Sequence, residues 1–428
     1  LAPNHEVVVI DQNPDVADEF QSMDVEFISG TGTSAAVLAQ ADAGRADFLV
    51  AATGLDEVNI VACALASRLG APQAICLVSR ADFLGAGESG SLAAFGISRV
   101  VWPEAQLAAD IERVVTTPGA IDAEVFAGGV VRLLEYRLDA SSTLVGSTLA
   151  SLHLPHGSLI VAVKRGGRIF VPRGQTSLEA GDKVIVMGTV DAVKQVEGLV
   201  HPHRRDGRLE VTIIGGGDVG LQLAERLEQT PSIELRILER GVERGAMLAA
   251  RLRRTLVLNG DGTDLEFLES ENVGRSDVLV SVIDNDERNL LASLLGRQLG
   301  VPRVITRVGR PANIRLFERV GIDVAISARG AAVDSILHQI TGGATSLLAV
   351  LEHGEARVLE LTVSPAFPAR PLRQMGAAQD AIVAAILRDG RAIVPRGDDV
   401  VQPGDRVVVF CTQRAADRVR DYFTLDGR

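Results

Sequence analysis

Six consecutive residues, Gly215-Gly-Gly-Asp-Val-Gly220, have the types and the spacing to hold a phosphate. They follow a β-branched run, Val211-Thr-Ile-Ile214, and lead into a helical pattern with Leu221, Ala224 and Leu227 on one face. Beyond Pro231 a second apolar run, Leu235-Arg-Ile-Leu238, ends in an acid, Glu239. Strand, glycine turn, helix, strand and acid in this order form the G-x-G-x-x-G dinucleotide fingerprint in the context it requires. Gly215 permits the tight turn, Gly217 lets backbone approach a pyrophosphate, and Gly220 allows close helix–strand packing. The helix that starts at this turn, which also includes Asp218 and Val219, offers unpaired N–H groups and a positive dipole end to an anion. Glu239 stands about 20 residues past the glycines, where a carboxylate binds ribose hydroxyls and repels a 2′-phosphate. A glycine pattern alone is weak evidence, but both flanking strands and the acid favour nucleotide binding over a merely structural turn.

In an open parallel sheet, ligands bind beyond the carboxyl ends of the strands. In this half of the chain those ends carry Glu239-Arg240, Asp261-Gly262-Thr263, Asp284, Glu287, Asn289 and Arg307. A corresponding set in the first half comprises Asp11, Thr31-Gly-Thr33, Thr53-Gly54, Glu57, Asn59 and Arg80. Asp261 is placed to approach an adenine, and its counterpart Thr31 is uncharged. Arg307 and Arg80 can neutralise phosphate or pair with a facing acid. Singly these are ordinary polar loop residues; as glycine-flanked sets present twice they read as sites. Acid–base chemistry on a bound substrate needs a placed His or Lys. Lysines occur only at Lys164, Lys183 and Lys194, and His338 and His353 lie outside any motif. Neither a nucleophile elbow, nor a P-loop lysine, nor a zinc signature is found, so no catalytic or metal-ligating residue is assigned. Nucleotide binding without chemistry points to a sensor.

The elements that must position these residues come from a duplicated chain. Ser29-Gly-Thr-Gly-Thr-Ser34 matches Asn259-Gly-Asp-Gly-Thr-Asp264 at a shift of 230 (259 − 29), and the same shift carries Asp56-Glu-Val-Asn59 onto Asp286-Glu-Arg-Asn289. Val171-Pro-Arg-Gly174 matches Val394-Pro-Arg-Gly397 at a shift of 223 (394 − 171), each followed by a Gly-Asp pair, Gly181-Asp182 and Gly404-Asp405. One two-domain unit is therefore written twice. Residues 1–112 alternate strands (Val7–Ile10, Glu26–Ile28, Phe48–Ala51, Ile75–Val78, Val100–Val101) with helices (14–22, 34–43, 56–69, 105–116). Such alternation implies a parallel sheet covered on both faces. Leu1 to Asp11 aligns with the end of the first helix and the second strand of the other copy, so the first strand and its glycine turn are expected to precede Leu1 in a longer chain. Residues 113–200 are β-rich: a strand at Val130–Leu138, a short helix at Thr143–Leu152, a hairpin through Gly166-Gly167, and a strand at Val184–Met187. The second copy repeats them with Val358–Val363, Pro371–Met375, Ala381–Arg388, a turn at Asp389-Gly390, Arg391–Pro395 and Val407–Phe410. The expected division is thus 1–112, 113–200, a polar linker 201–208, 209–330 and 331–428: an α/β protein of two parallel-sheet domains, each followed by a small α+β domain.

The 428 residues carry a net charge of −12 with no basic tract, which argues against a nucleic-acid partner. No apolar run approaches a membrane span and no signal peptide is evident. The scattered Cys63, Cys76 and Cys411 fit buried thiols in a reducing compartment.

Gly215–Gly220 with Glu239-Arg240, Asp284-Asn-Asp-Glu-Arg-Asn289, Val324-Ala-Ile-Ser327 and the duplicated Val-Pro-Arg-Gly…Gly-Asp segments resemble the TrkA family of regulatory subunits of bacterial Trk potassium uptake. The larger domains look like its TrkA-N, or RCK, Rossmann-like domains, and the small ones like TrkA-C. The resemblance covers essentially the whole chain. It implies a homotetrameric ring on the cytoplasmic face of the plasma membrane, beneath a TrkH/TrkG-like transporter subunit. It also implies binding of NAD or NADH and of ATP or ADP that gates potassium flux, with no catalysis. Rival expectations are an NAD-dependent oxidoreductase on the same fold, a regulator of another ion transporter, and a small-domain sensor of a ligand such as a cyclic dinucleotide.

Overall fold

The structure is a computed structural model, describing residues 5–21, 23–83, 92–117, 120–126, 130–200, 208–340, 345–351, 355–375, 380–388 and 391–425. The chain divides into two compact units, Leu1–Gln106 and Leu107–Arg428. The first unit contains β1 (Val8–Asp11), α1 (Ala17–Phe20), β2 (Glu26–Ser29), α2 (Ala35–Gln40), β3 (Leu49–Ala51), α3 (Asp56–Leu69), β4 (Ala74–Leu77), β5 (Arg99–Val101) and the start of α4 (Pro103–Thr116). Its strands pair in parallel as β1–β2 and, separately, as β3–β4–β5. The helix expected over 14–22 is one 3-10 turn, Pro14–Val16, followed by the short α1. Pro14 fixes φ at the start, and the Asn13 side chain accepts from the Asp15 amide to cap the turn.

The second unit continues with β6 (Ala120–Phe126), β7 (Val131–Arg137), β8 (Ser158–Arg165), β9 (Arg168–Phe170), β10 (Lys183–Thr189) and α5 (Val190–Val200). Next come β11 (Leu209–Ile214), α6 (Asp218–Leu227), β12 (Ile233–Glu239), α7 (Val242–Arg251), β13 (Leu256–Asn259), α8 (Leu265–Ser270), β14 (Val278–Ser281), α9 (Asp286–Gln298), β15 (Arg303–Arg307), α10 (Ile314–Arg319), β16 (Val324–Ile326) and α11 (Ala328–Ile340). The chain closes with β17 (Thr345–Leu351), β18 (Ala356–Thr362), β19 (Arg370–Pro371), β20 (Ala381–Arg388), β21 (Arg391–Ile393), β22 (Val400–Val401), β23 (Arg406–Thr412) and α12 (Ala416–Thr424).

Strands β11 to β16 form one parallel sheet in the order β13-β12-β11-β14-β15-β16. Order reverses at β11, so the β11–β14 edge is the switch point where a doubly wound sheet opens a crevice. The first unit runs through the same order on either side of the position that β11 occupies here: β2-β1, then β3-β4-β5. The sheet's core draws on Val211, Ile213, Leu223, Leu227, Ile237 and Val280, and also on Leu107, Ala108, Ile111, Val114 and Val115 of α4. Glu112 adds an ion pair to Arg226 at 3.1 Å. The apolar stripe of α4 is therefore buried against the second copy's sheet, and the domain limit expected at 112 falls inside this helix.

The two small domains are antiparallel five-stranded sheets of the same order, β6-β7-β10-β8-β9 and β17-β18-β23-β20-β21. Their facing residues interleave in one core: Val131, Leu133, Ala162, Ile185 and Met187 from the first, Val358, Ala384, Val408 and Phe410 from the second. The helix expected at Thr143–Leu152 does not form. Gly146 has φ +82°, the Gly146, Leu149 and Ala150 amides donate to Leu178, Thr176 and Gly174, and Thr148 bridges Ser177. With those N–H groups committed across the chain, no i to i−4 ladder can close. In the same way Pro371–Met375 is a short pairing of β19 with β22 followed by a 3-10 turn, Leu372–Gln374. The Asp389-Gly390 turn, residues 201–207 of the linker and His353 lie outside the described residues.

The Gly-Asp pairs are explained by two buried carboxylates. Asp182 takes both ends of the Arg165 guanidinium at 2.8 and 2.7 Å, and Asp405 takes Arg388 at 2.7 and 2.7 Å. Gly181 and Gly404 precede them with φ +91° and +85°, a conformation that side chains disfavour. Burial raises the pKa of Asp405, but the Arg388 fork and the Gln402 amide outweigh it and hold the carboxyl below its ordinary value. A carboxyl with a lowered native pKa stabilises the fold above its unfolded pKa and loses that contribution as pH falls through the native value. Asp405→Asn is therefore expected to lower unfolding free energy by about 2 kcal/mol at neutral pH. In urea titrations the gap between variant and parent should close below about pH 4.

Candidate nucleotide site

The glycine turn is built by close approaches that only hydrogen at Cα allows. Gly215 leaves β11 with φ +107°, and a Cβ there would meet the Ile283 nitrogen at 3.0 Å. A Cβ on Gly220 would stand 2.0 Å from the Gly215 carbonyl oxygen, so the first turn of α6 lies directly on the end of β11. A Cβ on Gly217 would meet nothing within 4 Å. Gly217 is the residue before the first turn of α6, so its backbone faces open space at the helix's positive end. The three glycines thus make a turn, leave open space, and let helix pack on strand.

Glu239 holds this turn from the end of β12. Its Oε2 accepts from the Gly216 amide at 2.7 Å and its Oε1 from the Gly241 amide at 2.6 Å. Gly216 is a residue the motif does not mark, yet a Cβ there would collide with Leu248 at 2.3 Å and Glu239 at 2.9 Å. Arg244 of α7 completes the arrangement, donating to the Gly216 carbonyl at 2.7 Å and pairing with Asp218 at 3.0 Å. Neither Arg244 nor Gly216 was marked in the sequence; the pattern Gly-x-x-Arg after the acid would be the signal for the arginine, because it sets Arg244 in the first turn of α7, three residues past the capping Gly241.

Asp261, at the end of β13, sits among cations. Arg288 contacts it at 2.8 Å and Arg240 at 3.7 Å, while the Thr263 amide and hydroxyl donate at 2.9 and 2.7 Å. Burial raises the Asp261 pKa, but the Thr263 hydroxyl and amide and the Arg288 charge more than offset it and keep the carboxyl lowered. Gly262 lies against Ile214 so closely that a Cβ would stand 2.1 Å from its Cγ2. Glu239, Arg240, Asp261, Gly262 and Thr263 are thereby gathered beside the glycine turn.

The remaining predicted residues divide by role. Asn289 is fully buried, its oxygen accepting from Ser281 and Ile283 and its amide donating to Ile283 and Arg307. Such a saturated side chain shapes the β14–α9 loop and has no donor left for a ligand. Asp284 is exposed and pairs with Arg307 at 2.8 Å, so Arg307 faces an acid. Glu287 is exposed in the first turn of α9. Asp286 anchors the next loop by accepting from the Gly309 amide at 2.6 Å and the Asn313 side chain at 3.0 Å.

The first unit reproduces the scaffold with different chemistry. Asn59 accepts from the Thr53 amide and hydroxyl at 2.8 and 2.7 Å and donates to the Leu77 carbonyl at 2.9 Å, as Asn289 does in its copy. Thr31 and Thr33 share a 2.9 Å hydroxyl contact where the second copy has Asp261 and Thr263. Asp11 accepts from the Asn13 amide at 2.7 Å at the end of β1. Gly54 faces open space, and Arg80 pairs with Glu57 and Asp82 at 3.1 Å each. Of the two roles open to Arg80, neutralising phosphate or pairing with a facing acid, the structure shows the ion pairs. Among the described residues no group of three or more His, Cys, Asp or Glu could hold a metal ion, and no helix is long and apolar enough to cross a membrane.

Comparison with known proteins agrees with this duplicated plan. Residues 1–103 and 211–328 match the TrkA-N domain, and residues 133–201 and 358–424 match the TrkA-C domain. A Methanosarcina mazei relative named Trk system potassium uptake protein TrkA homolog 1 is 37% identical, over 99% of this chain and 96% of its own. The Halomonas elongata protein named Trk system potassium uptake protein TrkA is 31% identical over 97% of this chain and 92% of its own. Among solved structures, the GsuK RCK domain superimposes with a TM-score of 0.58 at 20% identity, covering 97% of this chain and 89% of that one. The GsuK channel bound to NAD gives 0.58 at 19% identity, covering 98% and 75%. Each sequence relative is matched along nearly its full length, and the chain belongs to the TrkA family, with its TrkA-N and TrkA-C pair present twice.

Proposed function

We propose that this chain is a nucleotide-sensing regulatory subunit of a Trk-type potassium transporter, with its principal site at Gly215–Gly220. The observation that carries this reading is the open approach to Gly217 at the start of α6, framed by Glu239 and the Asp261 cluster. An incoming pyrophosphate would meet unpaired N–H groups and the helix dipole there. Glu239, already holding the Gly216 and Gly241 amides, keeps lone pairs directed at ribose hydroxyls and disfavours a 2′-phosphate. The reading therefore favours NAD and NADH over their phosphorylated forms, with ATP and ADP as adenine nucleotides for the same crevice. Asp218, Val219, Arg240, Gly262, Thr263, Asp284 and Glu287 would line it. In the first copy Asp11, Thr31, Thr53, Gly54 and Glu57 would make the weaker counterpart, with Asn59 and Arg80 as scaffold. The names of the relatives support potassium uptake as the process served.

The finer reading is a homotetramer docked on the cytoplasmic side against a TrkH/TrkG-like membrane subunit. A ligand shifts such an assembly only through its differential affinity for two conformations. Because Arg244 ties the glycine turn to α7, a phosphate at the turn would be felt in the packing of that helix. The rival, an oxidoreductase, would need an acid–base residue beside the nicotinamide, and the strand ends described here carry neither His nor Lys.

Equilibrium titration with NADH, NAD, ATP and ADP tests the site. Gly217→Val, whose side chain enters open space, should weaken binding by about tenfold or more, about 1.4 kcal/mol, with the unfolding midpoint unchanged. Undiminished binding in that variant would remove the site from the second copy, and NADH consumption by the parent chain would favour the rival. Gly220→Ala should behave in the opposite way: a Cβ at 2.0 Å from the Gly215 oxygen costs about 2 kcal/mol of stability through overpacking, read as a lowered midpoint in urea. NADPH is expected to bind at least about tenfold more weakly than NADH, given the Glu239 carboxylate.

A further inference from the structure

The two copies differ at one buried pair whose chemistry the proposed function does not use. In the second copy Ser293 of α9 and Thr306 of β15 are fully buried and their hydroxyls lie 2.6 Å apart. The 230-residue shift places Cys63 of α3 and Cys76 of β4 at the same two positions. Strand register agrees: Ala51 pairs with Cys76 as Ser281 pairs with Thr306. Both thiols are free and completely buried in one apolar cluster, and the Cys63 thiol donates to the Ile75 carbonyl at 3.5 Å, next to Cys76. The Ser293–Thr306 hydroxyl contact shows that these two positions bring γ atoms together, as a disulfide requires. We propose that Cys63 and Cys76 form a peroxide-oxidisable dithiol, whose disulfide would fasten α3 to β4 in the first TrkA-N domain.

The chemistry balances with a hydroperoxide as oxidant. The thiolate sulfur attacks the peroxide, the O–O bond breaks, and a sulfenic acid and one water form. The second thiol then attacks the sulfenic sulfur, the S–O bond breaks, the S–S bond forms, and the displaced hydroxide leaves as a second water with that thiol's proton. Two thiols are oxidised by two electrons and hydrogen peroxide is reduced to two waters. The neighbouring thiol and burial raise the pKa of Cys63, while proximity to Cys63 lowers that of Cys76. Burial selects a small oxidant and makes local opening of α3 the slow step. The link would lie one helical turn from Asn59, whose side chain donates to the Leu77 carbonyl, an oxygen that also accepts from the Cys76 thiol at 3.7 Å. Oxidation would therefore act on the Thr53 loop that Asn59 shapes.

The full chain supplies its own control. Cys411 is equally buried, has no thiol partner, and burial pushes its pKa up to about 11. Treatment with hydrogen peroxide, alkylation under denaturing conditions and mass spectrometry should show the loss of two of the three free thiols. Trypsin cuts after Arg68, so the product is a cross-link between separate peptides, lighter by two hydrogen atoms and cleaved by dithiothreitol. The Cys63→Ser, Cys76→Thr double variant installs the hydroxyl pair of the second copy, should fold normally, and should lose no thiols. Amide exchange along α3 should slow in the oxidised parent and stay unchanged in the treated double variant. Sulfinic acid at either position without a cross-link, or thiols that remain reduced in the folded chain under peroxide that cross-links the unfolded one, would overturn the proposal.

Discussion

The separation between α6 and β11 is set by a missing atom. With hydrogen alone on Gly220, the first turn of the helix reaches the Gly215 carbonyl, beside the β11–β14 edge where strand order reverses. Everything else at the site adjusts to that distance. Glu239 can span from the end of β12 to the Gly216 amide only because the turn is this tight. Arg244 reaches the Gly216 carbonyl from α7 for the same reason. A parallel sheet commonly presents its strand ends to ligands; here the turn also decides which strand end, and how far out, the anion-binding amides stand.

Local chemistry made the glycine turn, the strand that precedes it and the acid that follows legible in the sequence. Each depends on residues within about one βαβ unit, and the steric demands on Gly215 and Gly220 leave a compositional trace. The duplication was legible for a related reason, since Gly-Thr, Val-Pro-Arg-Gly and Gly-Asp pieces mark turns whose backbone conformations restrict residue choice. Asn289 was singled out as a ligand residue, yet its hydrogen bonds go to Ser281, to Ile283 and to Arg307. A sequence shows that an amide is present and cannot show whether its partners are protein or ligand. Arg80 illustrates the same limit, because Glu57 and Asp82 claim it only once α3 and the following loop are folded.

Long-range partnerships were illegible. The apolar stripe of α4 reads as a helix covering its own sheet, whereas its buried residues join the core around Val211 and Val280. Periodicity reports that a face is apolar and is silent about what covers it. The segment Thr143–Leu152 has helical composition, yet its amides are taken by the strip from Gly174 to Leu178, and tertiary hydrogen bonds override a weak propensity. Arg244 escaped notice because its value lies in geometry: seen alone it is one more arginine on an amphipathic helix.

The small domains interleave Leu133 and Met187 with Val358 and Phe410 in one core, so the two repeats pair within a single chain. In a dimer of identical subunits, every substitution is made twice, once on each side of the axis. Covalent tandem pairing lifts that restriction. One half can keep Ser293 with Thr306 while the other holds Cys63 with Cys76, and one can keep Asp261 where the other has Thr31. The duplicated chain is in effect a heterodimer encoded by one gene. Its partners always meet at equal stoichiometry, and each half is free to acquire a specialisation that the other does not share.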